Sequence, residues 1–316
     1  MRSSAFSRRN FLLGTGALAV GLGRDVAGKP GPKRKGGTRL ILLGTGGGPR
    51  PMAERAGPSH VILVDDVPYV VDCGGGVARQ LVRARINPGL LTKIFITHQH
   101  SDHNVDYGNL TLLVSASGLS TRVDAYGPPP IERMTRLFFD RNAYDIETRG
   151  ADKSRVPLAP LVHAHELDTG GVVMEDARVK VTAALVTHPP VEPSFAYRFD
   201  TADRSIVISG NTAWCDDFVR LSRGADVLVH EALYAPAIER LSQRVGSATQ
   251  LIEDVLASHT KAEDVGRLAS QAGVRTLVLS HLVPGDDPSI TDDLWRERAS
   301  KHFRGEVIVG KDLLEI

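Results

Sequence analysis

The chain has 316 residues, of which 42% are hydrophobic and 24% charged, a composition that is ordinary for a globular protein and argues against disorder or a coiled coil. No apolar run approaches the roughly eighteen residues that a membrane span needs, so no transmembrane helix is expected. The net charge is +1, but residues 1–37 contribute +7, which leaves −6 for residues 38–316. A protein that neutralises many phosphates should be basic. A nucleic-acid partner is therefore not expected.

The amino-terminal segment holds a pair of arginines, Arg8 and Arg9, directly ahead of a short apolar stretch. This pattern resembles a twin-arginine export signal. We predict a signal peptide over residues 1–27, a flexible linker over residues 28–37, and a location in the periplasm or outside the cell. A basic tail with a short helix is the alternative. Residues 38–316 are expected to form one domain.

Beyond the linker, short β-rich segments alternate with glycine turns and helical segments. Ten segments have the pattern of strands: residues 38–44, 59–65, 68–74, 93–98, 179–188, 194–199, 205–210, 226–231, 276–281 and 306–310. Helical periodicity occurs over residues 76–86, 130–144 and 261–273, the last with a predicted capping box of Thr260 and Glu263. The pattern predicts an α/β domain with sheets inside and helices outside.

Two glycine-rich segments follow early strands. The first, "LLGTGGGPRP", has no lysine followed by serine or threonine at the spacing of a phosphate-binding loop, so we interpret it as a strand and a turn. The second, "VDCGGG", is interpreted as a strand-to-helix turn in which Asp72 orders the neighbouring loops. Cys73 and Cys215 form no CxxC pair, which excludes a structural zinc knuckle. In an exported protein the two could form a disulfide, and we interpret them as two small buried thiols.

Residues of the kind that bind metals follow several predicted strands. They are His98, His188, Asn211, Glu231 and His281. The densest group is the run "THQHSDHN", in which His98 and His100 are two residues apart and can project to the same side to hold one ion. Asp102 and His103 lie beyond the bend and can address a second ion. A histidine-rich surface loop is the alternative, which the placement after an apolar strand disfavours.

The run "THQHSDH" resembles the signature of the metallo-β-lactamase superfamily of hydrolases. The later segments "VTHPPVEPSFAYRF", "ISGNT", "DVLVHEALY", "SHTKAEDVGRLASQAGV" and "LVLSHLVPGD" are similar, in order, to motifs of its ribonuclease Z and arylsulfatase-like branch. The resemblance implies a four-layer αββα sandwich, and the nitrogen-rich ligands favour two Zn²⁺ ions over iron. It also implies one ligand set for each ion: His98, His100 and His188 for the first, and Asp102, His103 and His281 for the second.

The same resemblance implies catalytic roles for Asp102, Glu231 and His259. Glu231 and His259 match the glutamate and histidine that act together on the leaving oxygen in the ribonuclease Z type. A carboxylate beside an imidazole raises the imidazole pKa and fixes its tautomer, so His259 is expected to donate a proton near neutral pH. Alternatively, Glu231 only caps a helix and His259 lies at the surface.

One position departs from the resemblance. Where the family has an aspartate that bridges the two ions, this chain has Asn211, which raises the formal charge of the metal site by one unit. We expect weaker loading of one ion, a single-metal enzyme, or use of Mn²⁺. Asp216 or Asp217 could substitute, although both are expected to face solvent.

These features together predict an exported metal-dependent hydrolase that acts on a small-molecule ester, with an arylsulfatase-like activity ranked first. A phosphodiesterase or a lactonase of the same fold is the alternative, and ribonuclease Z-type RNA cleavage is ranked lower because of the acidic domain and the export signal. The rival hypothesis is a non-catalytic metal or ligand binder, which Asn211 makes credible. The sequence leaves the oligomeric state open, a homodimer included.

Overall fold

The computed structural model describes residues 36–150, 156–244 and 249–316. The predicted signal peptide, and all of the predicted linker except Gly36 and Gly37, lie outside the described residues, so export and the domain boundaries stay predictions. Among the helices in the described ranges, none combines the length and the apolar character that crossing a membrane requires.

Two mixed sheets form the centre of the domain. The first contains, in spatial order, β1 (Thr38–Gly44), β2 (Ser59–Val64), β3 (Val67–Val71), β4 (Lys93–Phe95), β5 (Val123–Gly127) and β6 (Val162–Glu166). The second contains β7 (Gly171–Glu175), β8 (Val179–Leu185), β9 (Phe195–Thr201), β10 (Ser205–Ile208), β11 (Val227–Leu233), β12 (Thr276–Val283) and β13 (Glu306–Val309). In each sheet the earlier strands pair antiparallel, and the later ones, β3 to β6 and β10 to β13, pair parallel.

Helices cover the outer faces of both sheets. In chain order they are α1 (Val77–Arg83), α2 (Ser101–Asn104), α3 (Tyr107–Ser115), α4 (Ile131–Arg141), α5 (Ala143–Gly150), α6 (Asp216–Ser222), α7 (Ala235–Arg244), α8 (Thr249–Ser258), α9 (Ala262–Ala272) and α10 (Asp292–Ser300). Short 3₁₀ turns cover Pro88–Leu90 and Ala159–Leu161.

The alternation of side chains along β1 shows how the layers are built. Leu40 and Leu42 pack into the core between the two sheets, whereas Ile41 and Leu43 pack on the outer side with α1 and α3. A strand buried on both faces needs apolar residues at every position, which explains its continuous hydrophobic run. Phe95 of the first sheet meets Phe199 of the second with ring centroids 5.2 Å apart, edge to face. The four-layer αββα architecture that the family resemblance implied is confirmed.

Several local predictions were incomplete or wrong. Strands β5, β6 and β7 were not predicted. The strands β6 and β7 are short, partly exposed strands at sheet edges and lack the apolar run of a central strand. The strand β5 is buried, but its five residues include Asp124 and Gly127 and so form no continuous apolar run. The predicted capping box is absent: Lys261 is the N-cap of α9, and the Thr260 hydroxyl donates to the carbonyl of Thr212 at 2.5 Å. Both cysteines are free thiols, Cys73 buried and Cys215 partly exposed.

Candidate active site

Three histidines converge where β4 and β8 end. Nε2 of His98 lies 3.2 Å from Nδ1 of His100, which lies 3.1 Å from Nε2 of His188. The Nδ1 of His188 donates to the carbonyl of Ser258 at 2.8 Å, a partner that can only accept, so Nε2 is left with its lone pair facing the other two rings. Burial lowers the pKa of His98 well below its ordinary value and that of His188 to about 4. The group therefore presents neutral imidazoles, as a metal ion requires.

A second group lies beside the first. Oδ2 of Asp102 is 3.2 Å from Nε2 of His281 and 3.6 Å from Nε2 of His103. The rings of His98 and His103 have centroids 4.1 Å apart, so the two groups are neighbours. Burial disfavours the charge on Asp102, but hydrogen bonding and the charges of His281 and His103 outweigh it and hold the carboxyl pKa far below its usual range. Asp102 is thus an anion, and it is the one carboxylate among the six residues of the two groups.

His281 reaches the site through a bulge in β12. Glu231 of β11 pairs with Ser280 and Ala232 pairs with Leu282, so His281 is the extra residue, with a φ of 42°. A bulge re-aims the side chain of its extra residue, and bulges commonly occur beside active sites. His281 therefore lies inside a strand rather than after one.

Asp72 fixes the orientation of His103. One carboxylate oxygen accepts from Nδ1 of His103 at 2.8 Å, and the other accepts from the backbone N–H of Thr97 at 2.8 Å. Because Nδ1 carries the proton, Nε2 of His103 is directed into the site, where it is buried without a hydrogen-bond partner. The interpretation that Asp72 orders the loops agrees with this geometry, although the contact with His103 was not foreseen.

Replacing Asp72 by asparagine is expected to weaken divalent metal binding by about 10- to 100-fold, since losing the hydrogen-bond partner of a ligating histidine typically has that effect. Isothermal titration of the metal-free chain with Zn²⁺ would measure it. Asp124→Asn is the matched control, because Asp124 is a buried carboxylate that is paired instead with Lys93 at 3.2 Å. Equal affinity in both variants would show that Asp72 does not position a ligand.

Glu231 and His259 form a buried pair next to both groups. Oε2 of Glu231 accepts from Nδ1 of His259 at 3.1 Å, while Oε1 accepts from the backbone N–H groups of Thr212 and Thr260 at 3.3 and 3.0 Å. Burial opposes a charge on His259, but the carboxylate charge and the hydrogen bond outweigh it and raise the His259 pKa. The Glu231 side chain is fully buried and that of His259 is 13% exposed, so the imidazole is the member that can meet a substrate.

Asn211 lies between residues that already belong to the site. The preceding Gly210 has a φ of 61°, and a Cβ there would come within 2.9 Å of Cβ of Thr97. The following Thr212 donates to Glu231. Asn211 is 3% exposed, and its Oδ1 is buried without a hydrogen-bond partner. The proposed substitutes do not fill this place, since Asp216 and Asp217 are exposed on α6 and Asp217 pairs with Arg220.

The donor set fits divalent cations. Oδ1 of Asn211 and Nε2 of His103 are buried polar atoms without hydrogen-bond partners, a state that costs free energy unless a ligand satisfies it. Five imidazoles and one carboxylate make up the two groups, and imidazole with some carboxylate is the donor chemistry of zinc and its first-row neighbours. The structure brings together the predicted ligand residues, but the role of each one stays a prediction.

A cleft of about 450 Å³ opens beside Asp102 and was not predicted from the sequence. Four arginines line it. Arg50 is paired with Asp286 and Arg55 donates to backbone carbonyls, whereas Arg79 and Arg83 are exposed on α1 and make no ion pair within the described ranges. The helical spacing of four residues, which puts both arginines on one face of α1, was the available signal in the sequence.

Comparison with known proteins gives the family. A family model described as a beta-lactamase superfamily domain matches residues 68–282. The chain is 34% identical over 276 residues to Ribonuclease Z of Mycobacterium sp. (strain KMS), covering 87% of this chain and 94% of the relative. It is 30% identical over 277 residues to Ribonuclease Z of Mycobacterium bovis (strain BCG / Pasteur 1173P2), covering 87% and 96%.

Solved structures support the fold. The metallo-β-lactamase fold protein YhfI of Bacillus subtilis matches with a TM-score of 0.65 at 22% identity, covering 88% of this chain and 98% of that one. The short form of human tRNase Z matches with the same TM-score, identity and coverage.

These findings contradict two expectations from the sequence. The arylsulfatase-like activity on a small ester, ranked above RNA cleavage, is wrong, because the curated relatives are named Ribonuclease Z. The expectation of a small-molecule partner and no nucleic acid is wrong for the same reason. The physical error lies in the use of net charge: a value of −6 averages over the whole domain, and it hides local positive charge such as that of Arg79 and Arg83, which line the same cleft as Asp102.

Proposed function

The chain belongs to the β-lactamase superfamily as an enzyme of the metallo-β-lactamase fold, and from that premise we propose that it is a ribonuclease Z-like hydrolase that cleaves phosphodiester bonds in RNA. The observation that carries the proposal is the placement of His259 and Glu231 directly beside two converged groups of ligand side chains. The names of the curated relatives support RNA as the substrate.

The fold and the relatives imply a divalent metal, and we assign zinc because of the nitrogen-rich ligands. His98, His100 and His188 would hold one ion, and Asp102, His103 and His281 a second. Asn211 offers a neutral oxygen in place of a bridging anion, so the two ions are expected to bind with unequal affinity. When bound, divalent cations at these groups supply Lewis acidity, which lowers the pKa of water and offsets negative charge on a phosphodiester.

The residues of the chain perform the remaining steps. His259 donates its proton to the oxygen that leaves phosphorus, so that this oxygen departs as a neutral hydroxyl. Glu231 keeps that proton available, since it accepts from Nδ1 and leaves Nε2 to face the substrate. Glu231 is itself held by the backbone N–H groups of Thr212 and Thr260, which keeps the pair in one geometry. Asp102 contributes the negative charge that holds cations in place.

The cleft beside Asp102 provides a path for a polyanion. No carboxylate within the described residues neutralises Arg79 or Arg83, so both charges are free to meet phosphates of the RNA strand. The volume of the cleft, about 450 Å³, lies within the usual range of ligand-binding sites.

The direct test is cleavage of a transfer RNA precursor transcript and of a single-stranded oligoribonucleotide by the zinc-loaded chain. We expect cleavage that chelator abolishes and Zn²⁺ restores. A fully zinc-loaded chain that leaves both RNAs intact at micromolar enzyme concentration would refute the proposal.

The double variant Arg79→Ala/Arg83→Ala is expected to raise KM for RNA with little change in kcat, because the arginines contact phosphates away from the reacting one. The salt dependence should also become shallower, by about one unit of the log–log slope for each lost phosphate contact. Arg296→Ala is the control, since Arg296 is an exposed helix arginine paired with Asp293 on α10. An unchanged salt slope would remove these arginines from the substrate path.

A further inference from the structure

The indole ring of Trp214 is partly exposed and is not packed into the core. The side chain is 42% exposed, and the ring makes neither a hydrogen bond nor an aromatic contact within the described residues. The other tryptophan, Trp295, shows the contrast: it is 3% exposed and packs edge to face against Tyr234. Large aromatic side chains are usually buried or in contact with a partner, so an exposed indole ring without one is a candidate ligand-binding group.

The ring lies on the wall of a cavity of about 410 Å³ that also contains His259. This cavity is distinct from the arginine cleft, and the two have no lining residue in common. The ring of His259 lies with its centroid 5.2 Å from that of His188 and 5.7 Å from that of His281. The cavity therefore meets the ligand groups on the side of the proton donor.

The charge of the cavity suits a nucleotide. Lys261 lines it and makes no ion pair within the described ranges, whereas Arg267 is compensated by Asp264 at 3.0 Å. An indole face and one uncompensated ammonium group are the two elements that single-stranded nucleic-acid sites combine: the ring stacks on a base and the cation binds a phosphate.

We propose that Trp214 stacks on the base of the nucleoside that carries the leaving oxygen, and that Lys261 binds the next phosphate along the strand. The proposal rests on the assigned RNA cleavage, because the group beside His259 must be the one that receives its proton. It adds a base-binding position to the cleft that contacts phosphates, and a stacking surface accepts any base with little preference.

Fluorescence gives a direct readout, since Trp214 and Trp295 are the two tryptophans of the chain. In a Trp295→Phe background, the zinc-loaded chain is mixed in a stopped-flow instrument with hexaadenylate, so that emission is read before turnover. We expect saturable quenching of Trp214 emission. Tripolyphosphate, which has charge but no base, should leave the emission unchanged.

Steady-state kinetics provide the second measurement. Trp214→Ala should raise KM for RNA by about 5- to 150-fold, the range that corresponds to loss of one stacked base, whereas Trp214→Phe should retain most of the affinity. Lys261→Ala should reduce the salt dependence of KM. Tyr144→Ala is the matched control, because Tyr144 is 83% exposed and lies outside this cavity.

The outcomes separate this inference from the proposed function. If RNA is cleaved but hexaadenylate does not quench Trp214 and Trp214→Ala keeps its KM, the base-stacking role is wrong and the ribonuclease activity stands. If RNA is neither bound nor cleaved, the base-stacking role and the proposed ribonuclease activity are both wrong. If Trp214→Ala instead dissociates a dimer in sedimentation, the ring is covered by a second copy and the inference is wrong.

Discussion

Replacing His259 by alanine is expected to lower kcat for RNA cleavage by about 10²- to 10⁴-fold, the usual contribution of a positioned general acid. The leaving oxygen would then depart as an alkoxide or wait for a proton from water. KM should change little, because the lost interaction forms only as the bond breaks. His302→Ala is the control, since His302 is an exposed histidine without a contact to the site.

Metal content decides between two roles for His259. Glu231, His259 and His281 also converge closely enough to hold an ion, so His259 could be a ligand rather than a proton donor. If the His259→Ala variant keeps its metal content and has a lower kcat, His259 is a proton donor. If the variant loses one ion per molecule, the proton-donor assignment is contradicted.

The pH dependence gives an independent check. His259 must be protonated to act, so kcat should fall as pH rises through its pKa. The Glu231 carboxylate raises that pKa, and Glu231→Gln removes the charge while its amide oxygen can still accept from Thr212 and Thr260. The decline of kcat should therefore move to lower pH in Glu231→Gln. A decline at the same pH in both proteins would show that another group limits the rate.

Much of the site could be predicted from the sequence because its residues lie near or beyond the carboxyl ends of apolar strands. The hydrophobic period identifies β4, β8, β10, β11 and β12, and polar residues at their ends must meet at one edge of the sheets. The bulge that places His281 was not predictable, since it depends on pairing between Glu231 and Ser280, which are 49 positions apart in the chain. Tertiary contacts of this kind leave no local signal.

The residues that we propose to bind the substrate were harder to predict for a related reason. Arg79 and Trp214 carry no motif, and their importance comes from cavities that form only when distant segments pack together. Trp214 lies in the loop before α6, whereas Lys261 is the N-cap residue of α9. Net charge gave the wrong substrate because it sums over faces that the substrate never meets. The local charge of a surface becomes known only once the fold is known.

Replacing Asn211 by aspartate is expected to strengthen binding of the second divalent ion by tenfold or more and to bring the zinc content closer to two ions per chain. Asp102 is the one carboxylate among the six residues of the two groups, so two adjacent cations would be poorly compensated. Oδ1 of Asn211 is buried and has no hydrogen-bond partner, so it is positioned to be a ligand but carries no charge. A carboxylate at this place would reduce the mutual repulsion of the ions.

The Asn211→Asp substitution should change Tm in opposite directions with and without bound metal. In the metal-free chain, a buried aspartate at position 211 has no cation to compensate it, so Asn211→Asp should lower Tm. Saturating Zn²⁺ should more than reverse the loss, because an ion that binds only the folded state stabilises it in proportion to the logarithm of its affinity. Asn211→Ser is the control, since it changes the side chain without adding charge, and its zinc content should not rise. If Asn211→Asp and Asn211→Ser bind the same number of ions with the same affinity, position 211 does not face the metal centre, and unequal loading must have another cause.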